Sequence, residues 1–172
     1  IVFTAVDSSA NKNKNELQVK LLYGKKPTIT NTDGLQDQRL RKGSTLTLGI
    51  EANGIPSSQF KCYHNDEIIP GANSETYSKS DITEDDAGTY YAVAYNAAGD
   101  TVSKKVKVTL VYSIKYSAGY GTDAPVDSKL YSPGDTVYLT TSKPVREAYT
   151  FTGWTIGSAD FKPGGPYIMG YD

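Results

Sequence analysis

The chain has 172 residues, and its 18 basic and 19 acidic side chains leave a net charge of −1. This balance argues against a nucleic-acid partner, since no basic excess would gather phosphates. No stretch approaches the roughly 20 apolar residues that a membrane-spanning helix needs, so we expect no membrane span in this segment. Fourteen tyrosines, sixteen glycines and eight prolines, without an apolar run of helical period, predict an all-β chain.

The first 23 residues resemble a later part of the same chain. Residues 7–23 align without gaps on residues 96–112, with four identities in the extended match: Ala5/Ala94, Val19/Val108, Leu21/Leu110 and Tyr23/Tyr112. The offset is about the length of a small sandwich domain. We therefore interpret residues 1–23 as the closing hairpin of a preceding copy of the domain that follows. An unrelated hairpin is the alternative.

Residues 24–111 contain several predicted strands. Pro27 to Ile29 begin an edge strand, where proline is tolerated. Apolar residues then alternate with period two, which places one face of each strand in a core. They are Leu46, Leu48 and Ile50 in an early strand and Val106, Val108 and Leu110 in the last one.

Residues 86–99 carry the most specific signal, Asp-Ala-Gly-Thr-Tyr-Tyr-Ala-Val-Ala-Tyr-Asn-Ala-Ala-Gly. This run resembles the F strand and F–G turn of an intermediate-type (I-set) immunoglobulin domain. The resemblance implies a disulfide-less sandwich over residues 24–111, and it makes residues 1–23 the C-terminal hairpin of a preceding immunoglobulin-like domain. It also assigns structural roles to six residues: Asp86, Gly88 and Tyr90 in the tyrosine corner, and Ile50, Cys62 and Ala92 where the family has its half-cystines and core tryptophan. Lys79 departs from the family pattern, which has an inward apolar residue there.

Residues 112–172 resemble a second family, the Listeria–Bacteroides repeat or internalin B-repeat. The most specific element is Tyr-Thr-Phe-Thr-Gly-Trp at residues 149–154, and its structural residues are Tyr149, Phe151 and Trp154. The resemblance implies a small β-grasp-like unit. Repeats of this family end in a further strand of the type Leu-Tyr-Ala-x-Trp, which does not occur before Asp172. We therefore expect an exposed sheet edge here, which favours pairing with other strands.

The residues with reactive side chains do not form a convincing catalytic or metal site. Cys62 and His64 share a strand face, but a nucleophile and its base need a third, orienting group, and a buried thiol is inert. The acidic turn of Asp81, Glu84, Asp85 and Asp86 could supply calcium ligands, although a solvated turn is the simpler interpretation. A Lys–Asn isopeptide bond stays open, because spacing alone does not identify one. We predict no catalytic residues, no metal site and no cofactor.

These observations favour a non-catalytic extracellular segment of a bacterial, Gram-positive surface protein, located at the cell surface or cell wall or secreted. It would act as a spacer and in adhesion, next to neighbouring repeats of the same chain. The alternative is an accessory module that recognises a glycan or a host or matrix protein. Its candidate contacts are Tyr95, Asn96 and Tyr120. Tyrosines fill half-buried strand positions as readily as they stack on sugars.

Overall fold

The structure is a computed structural model with side chains. It describes residues 24–31 and 33–170, and in the N-terminal part the backbone of residues 3–6 and 14–17. The strands of residues 3–110 are β1 (Phe3–Val6), β2 (Lys14–Leu17), β3 (Lys25–Asn31), β4 (Gln38–Leu40), β5 (Leu46–Gly49), β6 (Glu51–Ile55), β7 (Gln59–His64), β8 (Glu67–Ile68), β9 (Thr76–Lys79), β10 (Gly88–Asn96), β11 (Gly99–Val102) and β12 (Val106–Leu110).

At the N-terminus, β1 pairs antiparallel with β2, Phe3 opposite Leu17. The other residues of the aligned segment 7–23 lie outside the described residues. The assignment of this hairpin to a preceding immunoglobulin-like domain stays a prediction.

Residues 24–111 fold into two β layers. One layer holds β3, β5, β6 and β9: β3 pairs with β6 and β5 with β9, and Ile50 alone separates β5 from β6. The second layer has the order β4-β12-β10-β7-β8, and β11 continues alongside β10. The β4–β12 pair is parallel and the other pairs are antiparallel. This two-layer, all-β arrangement confirms the predicted sandwich.

The core lies between the two layers and follows the period-two pattern of the sequence. Its buried members are Leu35, Leu46, Leu48, Ile50, Phe60, Cys62, Ile82, Tyr90, Ala92, Ala94, Val106, Val108 and Leu110. Cys62 and Ala92 face each other as direct partners on β7 and β10. Ile50 is contributed by the opposite layer.

Leu35 fills core space that a side chain larger than cysteine would occupy at position 62. It comes from the loop between β3 and β4, is 2% exposed, and lines the same small cavity as Ile50, Cys62 and Ala92. That cavity measures about 10 Å³, at the lower limit of what one water molecule needs. Gly34 lets the loop approach β5 closely, and the Gly34 carbonyl accepts a hydrogen bond from the Gly49 amide at 3.1 Å. A Cβ at Gly34 would overlap the Gly49 carbonyl oxygen.

Residues 112–170 form a smaller unit with its own core. Its strands are β13 (Thr136–Tyr138), β14 (Trp154–Ile156), β15 (Ala159–Phe161) and β16 (Pro166–Ile168). They make two separate two-stranded sheets, β13 with β16 and β14 with β15. Three isolated bridges add pairs at Tyr112–Tyr131, Lys115–Val126 and Thr122–Val145.

This arrangement differs from the β-grasp-like unit that the second resemblance implies. Between residues 112 and 170 the structure has no α-helix, and its three-residue strands do not join into one sheet. Five prolines in this segment remove backbone donors and keep the ladders short.

The centre of the smaller unit is an aromatic cluster around Trp154. Tyr116 and Phe151 pack on its ring with centroid distances of 4.6 and 4.7 Å. Its indole donates from Nε1 to the Thr140 carbonyl at 3.0 Å, and the Thr140 amide donates to the Tyr116 hydroxyl at 2.9 Å. A buried tryptophan with its N–H satisfied in this way fixes the loops around it.

Candidate functional site

The tyrosine corner connects the end of the sandwich core to the turn before β10. Tyr90 is 2% exposed, and its hydroxyl donates to the Asp86 carbonyl at 2.9 Å. Burial raises the pKa of the Tyr90 hydroxyl. Gly88 has a φ of 148°, and a Cβ there would meet His64 and Asn65 side-chain atoms at 2.6 and 2.7 Å. The corner therefore needs a glycine at residue 88.

Asp86 is a buried carboxylate that fixes the same turn. Its Oδ2 accepts from the Thr83 amide at 2.8 Å and from the Thr83 hydroxyl at 3.2 Å, and its Oδ1 accepts from the Lys79 ammonium. Lys79 thus reaches the corner from β9, although apolar residues are usual at its position. Burial alone would raise the pKa of Asp86, but the Lys79 and Thr83 contacts outweigh it and hold this pKa below its ordinary value.

The lowered pKa gives an expected pH dependence of stability. Because the folded state holds the carboxylate, Asp86 stabilises the fold fully above the ordinary carboxyl pKa of about 3.9, and the contribution is lost as the pH falls below that value. We expect Asp86→Asn to lower the free energy of unfolding by about 1–3 kcal/mol at pH 7 and to flatten its decline in acid. Urea unfolding from pH 7 to pH 3 measures both effects. Asp85→Asn, at an exposed neighbour, is the control. An unchanged acid slope in Asp86→Asn would contradict this role.

Cys62 and His64 do not come together as a nucleophile and base. Cys62 is 8% exposed, and its burial raises the pKa of the thiol, which disfavours the reactive thiolate. The His64 ring stacks on Tyr90 at 4.3 Å, and its Nε2 lies 3.1 Å from the Ala87 carbonyl oxygen. Both side chains are thus engaged in the sandwich.

Two of the four carboxylates of the acidic turn, those of Glu84 and Asp86, have partners within the chain. Glu84 pairs with Lys42 at 3.0 Å and accepts from the Tyr112 hydroxyl at 3.2 Å, while Asp86 is bound as described above. Within the described ranges, no group of three or more His, Cys, Asp or Glu side chains is placed to hold a metal ion. In the same residues, no helix has the length and apolar character to cross a membrane.

Asn96, a predicted ligand contact, is engaged within the chain. Its Nδ2 donates to the carbonyls of Lys25 and Pro56, both at 2.8 Å, and its Oδ1 accepts from the Ala98 amide at 2.8 Å. It ties together the start of β3, the turn after β6 and the turn between β10 and β11. Both ends of the Asn96 side-chain amide are therefore used in hydrogen bonds within the domain.

Tyr95 lies on the outer face of the second layer. Lys61 Nζ sits 4.9 Å above its ring centroid. Along the same face, the Tyr63 and Tyr91 rings stack at 4.8 Å and Lys105 covers Tyr91. At the margins of this face, Ile68 and Val102 are exposed. We call this set the outer tyrosine face; it offers apolar area flanked by cations.

Tyr120 lies in the smaller unit, far along the chain from Tyr95. Its ring is 93% exposed and stands 5.4 Å from the guanidinium carbon of Arg146, which also contacts Tyr149. Sequence reasoning missed Arg146, because 26 residues separate it from Tyr120 and no local motif includes it.

Of the three structural residues predicted in this segment, Phe151 and Trp154 pack in the core, whereas Tyr149 is exposed.

The comparisons with known proteins identify the larger unit. Residues 26–110 match the family model described as immunoglobulin domain. Residues 26–110 thus have an immunoglobulin-like fold.

Similar proteins include human neogenin, 32% identical over 76 residues, an alignment that covers 40% of this chain. The chain spans about 5% of neogenin's length. Among solved structures, titin domain M7 is 21% identical with a TM-score of 0.46, covering 52% of this chain and 97% of its own. Drosophila OTK extracellular domains 3–5 are 14% identical with a TM-score of 0.48. This match covers 62% of this chain and 38% of the OTK chain.

Proposed function

We propose that this chain is a non-catalytic extracellular segment of a modular surface protein, in which it acts as a stiff spacer and supports adhesion. The family match supports the immunoglobulin-like part of this proposal. The bacterial, Gram-positive assignment rests on two sequence features: the single cysteine and the Listeria–Bacteroides-type motifs of residues 112–172. The human and Drosophila proteins named above do not supply this assignment.

The observation that carries the spacer role is the junction between the two units. The Val111 amide donates to the Leu40 carbonyl in the larger unit at 2.8 Å. The next residue, Tyr112, exchanges two backbone hydrogen bonds of 2.8 Å with Tyr131 in the smaller unit, while its hydroxyl reaches Glu84 in the larger one. Arg39 adds a contact to the Leu130 carbonyl at 3.4 Å. A junction without a free linker residue restricts swivel between the units.

Small-angle X-ray scattering tests this proposal. We expect the wild-type chain to fit a narrow range of interdomain angles. Tyr112→Ala removes the side-chain contact across the junction and should widen that range. Tyr138→Ala removes an exposed tyrosine elsewhere in the smaller unit and is the control. Wild-type scattering that requires a broad spread of angles about Tyr112 would overturn the stiff-spacer role.

A second candidate function is recognition of a host or matrix protein through the outer tyrosine face. The exposure of Ile68 and Val102 beside the Tyr63–Tyr91 stack favours it, since aromatic and aliphatic groups with a polar rim are typical of protein contacts. Binding of this chain to a matrix protein, weakened by Tyr91→Ala, would favour recognition over spacing alone.

A further inference from the structure

A tyrosine–arginine–tyrosine cluster stands on the surface of the smaller unit. The Arg146 guanidinium carbon lies 3.6 Å from the Tyr149 ring centroid and 5.4 Å from that of Tyr120. The rings are 64% and 93% exposed, and Arg146 is exposed as well. Two large aromatic rings are therefore held at the surface around a single cation.

The backbone fixes the positions of these three residues. Thr122 and Val145 exchange hydrogen bonds of 2.7 and 3.0 Å, which join the turn that carries Tyr120 to the segment that carries Arg146. A Cβ at Gly121 would lie 2.5 Å from the Val145 carbonyl oxygen, so a glycine permits this approach. The Tyr149 amide donates to the Arg146 carbonyl at 3.2 Å and closes the second turn. The backbone that carries the cluster is thus in place before any ligand arrives, which lowers the entropy cost of binding.

The charge of Arg146 is not neutralised by a carboxylate of the described residues, whose three ion pairs all lie in the larger unit. Stacking on tyrosine occupies the face of a guanidinium but leaves its N–H groups free at the edge. Those groups match a planar carboxylate, which can accept two parallel hydrogen bonds from them. The chemistry therefore favours an anionic group in the plane of the guanidinium.

A cavity of about 200 Å³ lies beside the cluster, bordered by Arg146, Tyr149, Phe151, Ala118, Pro144 and Gly153. This volume is below the roughly 300–1,000 Å³ of typical small-molecule pockets, so it suits one monosaccharide-sized group of a larger ligand. The exposed Tyr120 ring adds an apolar face with a polar tip. Such a face can cover the C–H side of a neighbouring pyranose ring.

We propose that Tyr120, Arg146 and Tyr149 bind a saccharide that carries a carboxylate, with the carboxylate on Arg146 and pyranose rings against the tyrosines. The single guanidinium offers one pair of parallel N–H groups, and one carboxylate satisfies that pair. The proposal goes beyond the spacer role and does not depend on it, because the cluster lies within one unit and shares no residue with the Tyr112 junction.

The test is a titration followed by ¹H–¹⁵N NMR shifts of the full chain. The probes are a tetrasaccharide of alternating glucuronate and N-acetylglucosamine, sialyllactose, and a neutral N-acetylglucosamine tetrasaccharide. We expect saturable shifts confined to residues 118–122 and 144–153 with one or both acidic probes, and none with the neutral probe. The two acidic probes distinguish a uronate from a sialic acid as the source of the carboxylate. Added salt should weaken binding, because the cation is exposed.

Three variants separate this site from general charge attraction. Arg146→Gln and Tyr120→Ala should each weaken binding by roughly tenfold or more, since each removes one of the two recognition elements. Arg41→Gln removes the same charge from an exposed position in the larger unit and should change nothing. Unchanged fluorescence of Trp154 shows that Arg146→Gln and Tyr120→Ala keep the smaller unit folded. The proposal is overturned by absent shifts, by equal binding of the neutral probe, by equal weakening in Arg41→Gln, or by an acidic peptide that outcompetes the sugars at these residues.

Discussion

Replacing Trp154 by alanine is expected to unfold the smaller unit while the immunoglobulin-like domain stays folded. The indole ring packs against Tyr116 and Phe151, and its N–H is satisfied by the Thr140 carbonyl. Removal of a buried tryptophan typically costs about 3–5 kcal/mol, a large part of the stability of a unit this small. The hydrophobic core of the larger unit is a separate cluster, so the unfolding of the larger unit should change little.

Calorimetry and tyrosine-region circular dichroism measure this effect. The wild-type chain should show the unfolding of both units, and Trp154→Ala should lose the transition of residues 112–170. Tyr138→Phe, at an exposed position of the same unit, is the matched control. A loss of both transitions together in Trp154→Ala would mean that the two units share one cooperative core.

The second large effect is expected at Leu35, which lies in a loop of the sandwich. Leu35→Ala should lower the free energy of unfolding of residues 24–111 by about 2–5 kcal/mol, as buried leucine truncations do. The reason is that Leu35 closes the core beside Ile50, Cys62 and Ala92, where the residual cavity is already small. Its truncation would open a void that these neighbours cannot collapse into without moving strands.

Denaturant unfolding of the variant measures that change. Ile55→Ala, which truncates a half-exposed side chain of the same domain, is the control and should cost much less. A change in Leu35→Ala no larger than in Ile55→Ala would show that the loop does not compensate for the small residue at position 62.

The sandwich could be predicted because its strands obey a local rule. Inward residues such as Leu46, Leu48 and Val108 alternate with outward ones, and the run around Tyr90 specifies a corner that depends on residues four apart. Leu35 was missed because loop residues have no periodicity that predicts burial. Its position depends on the close approach of Gly34 to Gly49, which sequence spacing does not reveal.

The candidate contacts were harder to predict, because side-chain partners lie far apart in the sequence. Asn96 was interpreted as a ligand contact, yet its amide is used by carbonyls 71 and 40 residues away. Lys79 looked like a misplaced charge on an inward position, but its flexible stem reaches Asp86. Tyr120 was predicted as a contact without Arg146, since a single backbone bridge brings the two segments together.

The most direct test of this account is a set of residual dipolar couplings for backbone amides of residues 24–111 and 112–170. The account holds that each segment folds around a core of its own and that the Tyr112 junction joins them rigidly. It predicts that the couplings of each segment fit that segment's own coordinates, and that both segments report the same alignment tensor. Two clearly different tensors would contradict the spacer role, and couplings that fit neither segment would contradict the fold itself.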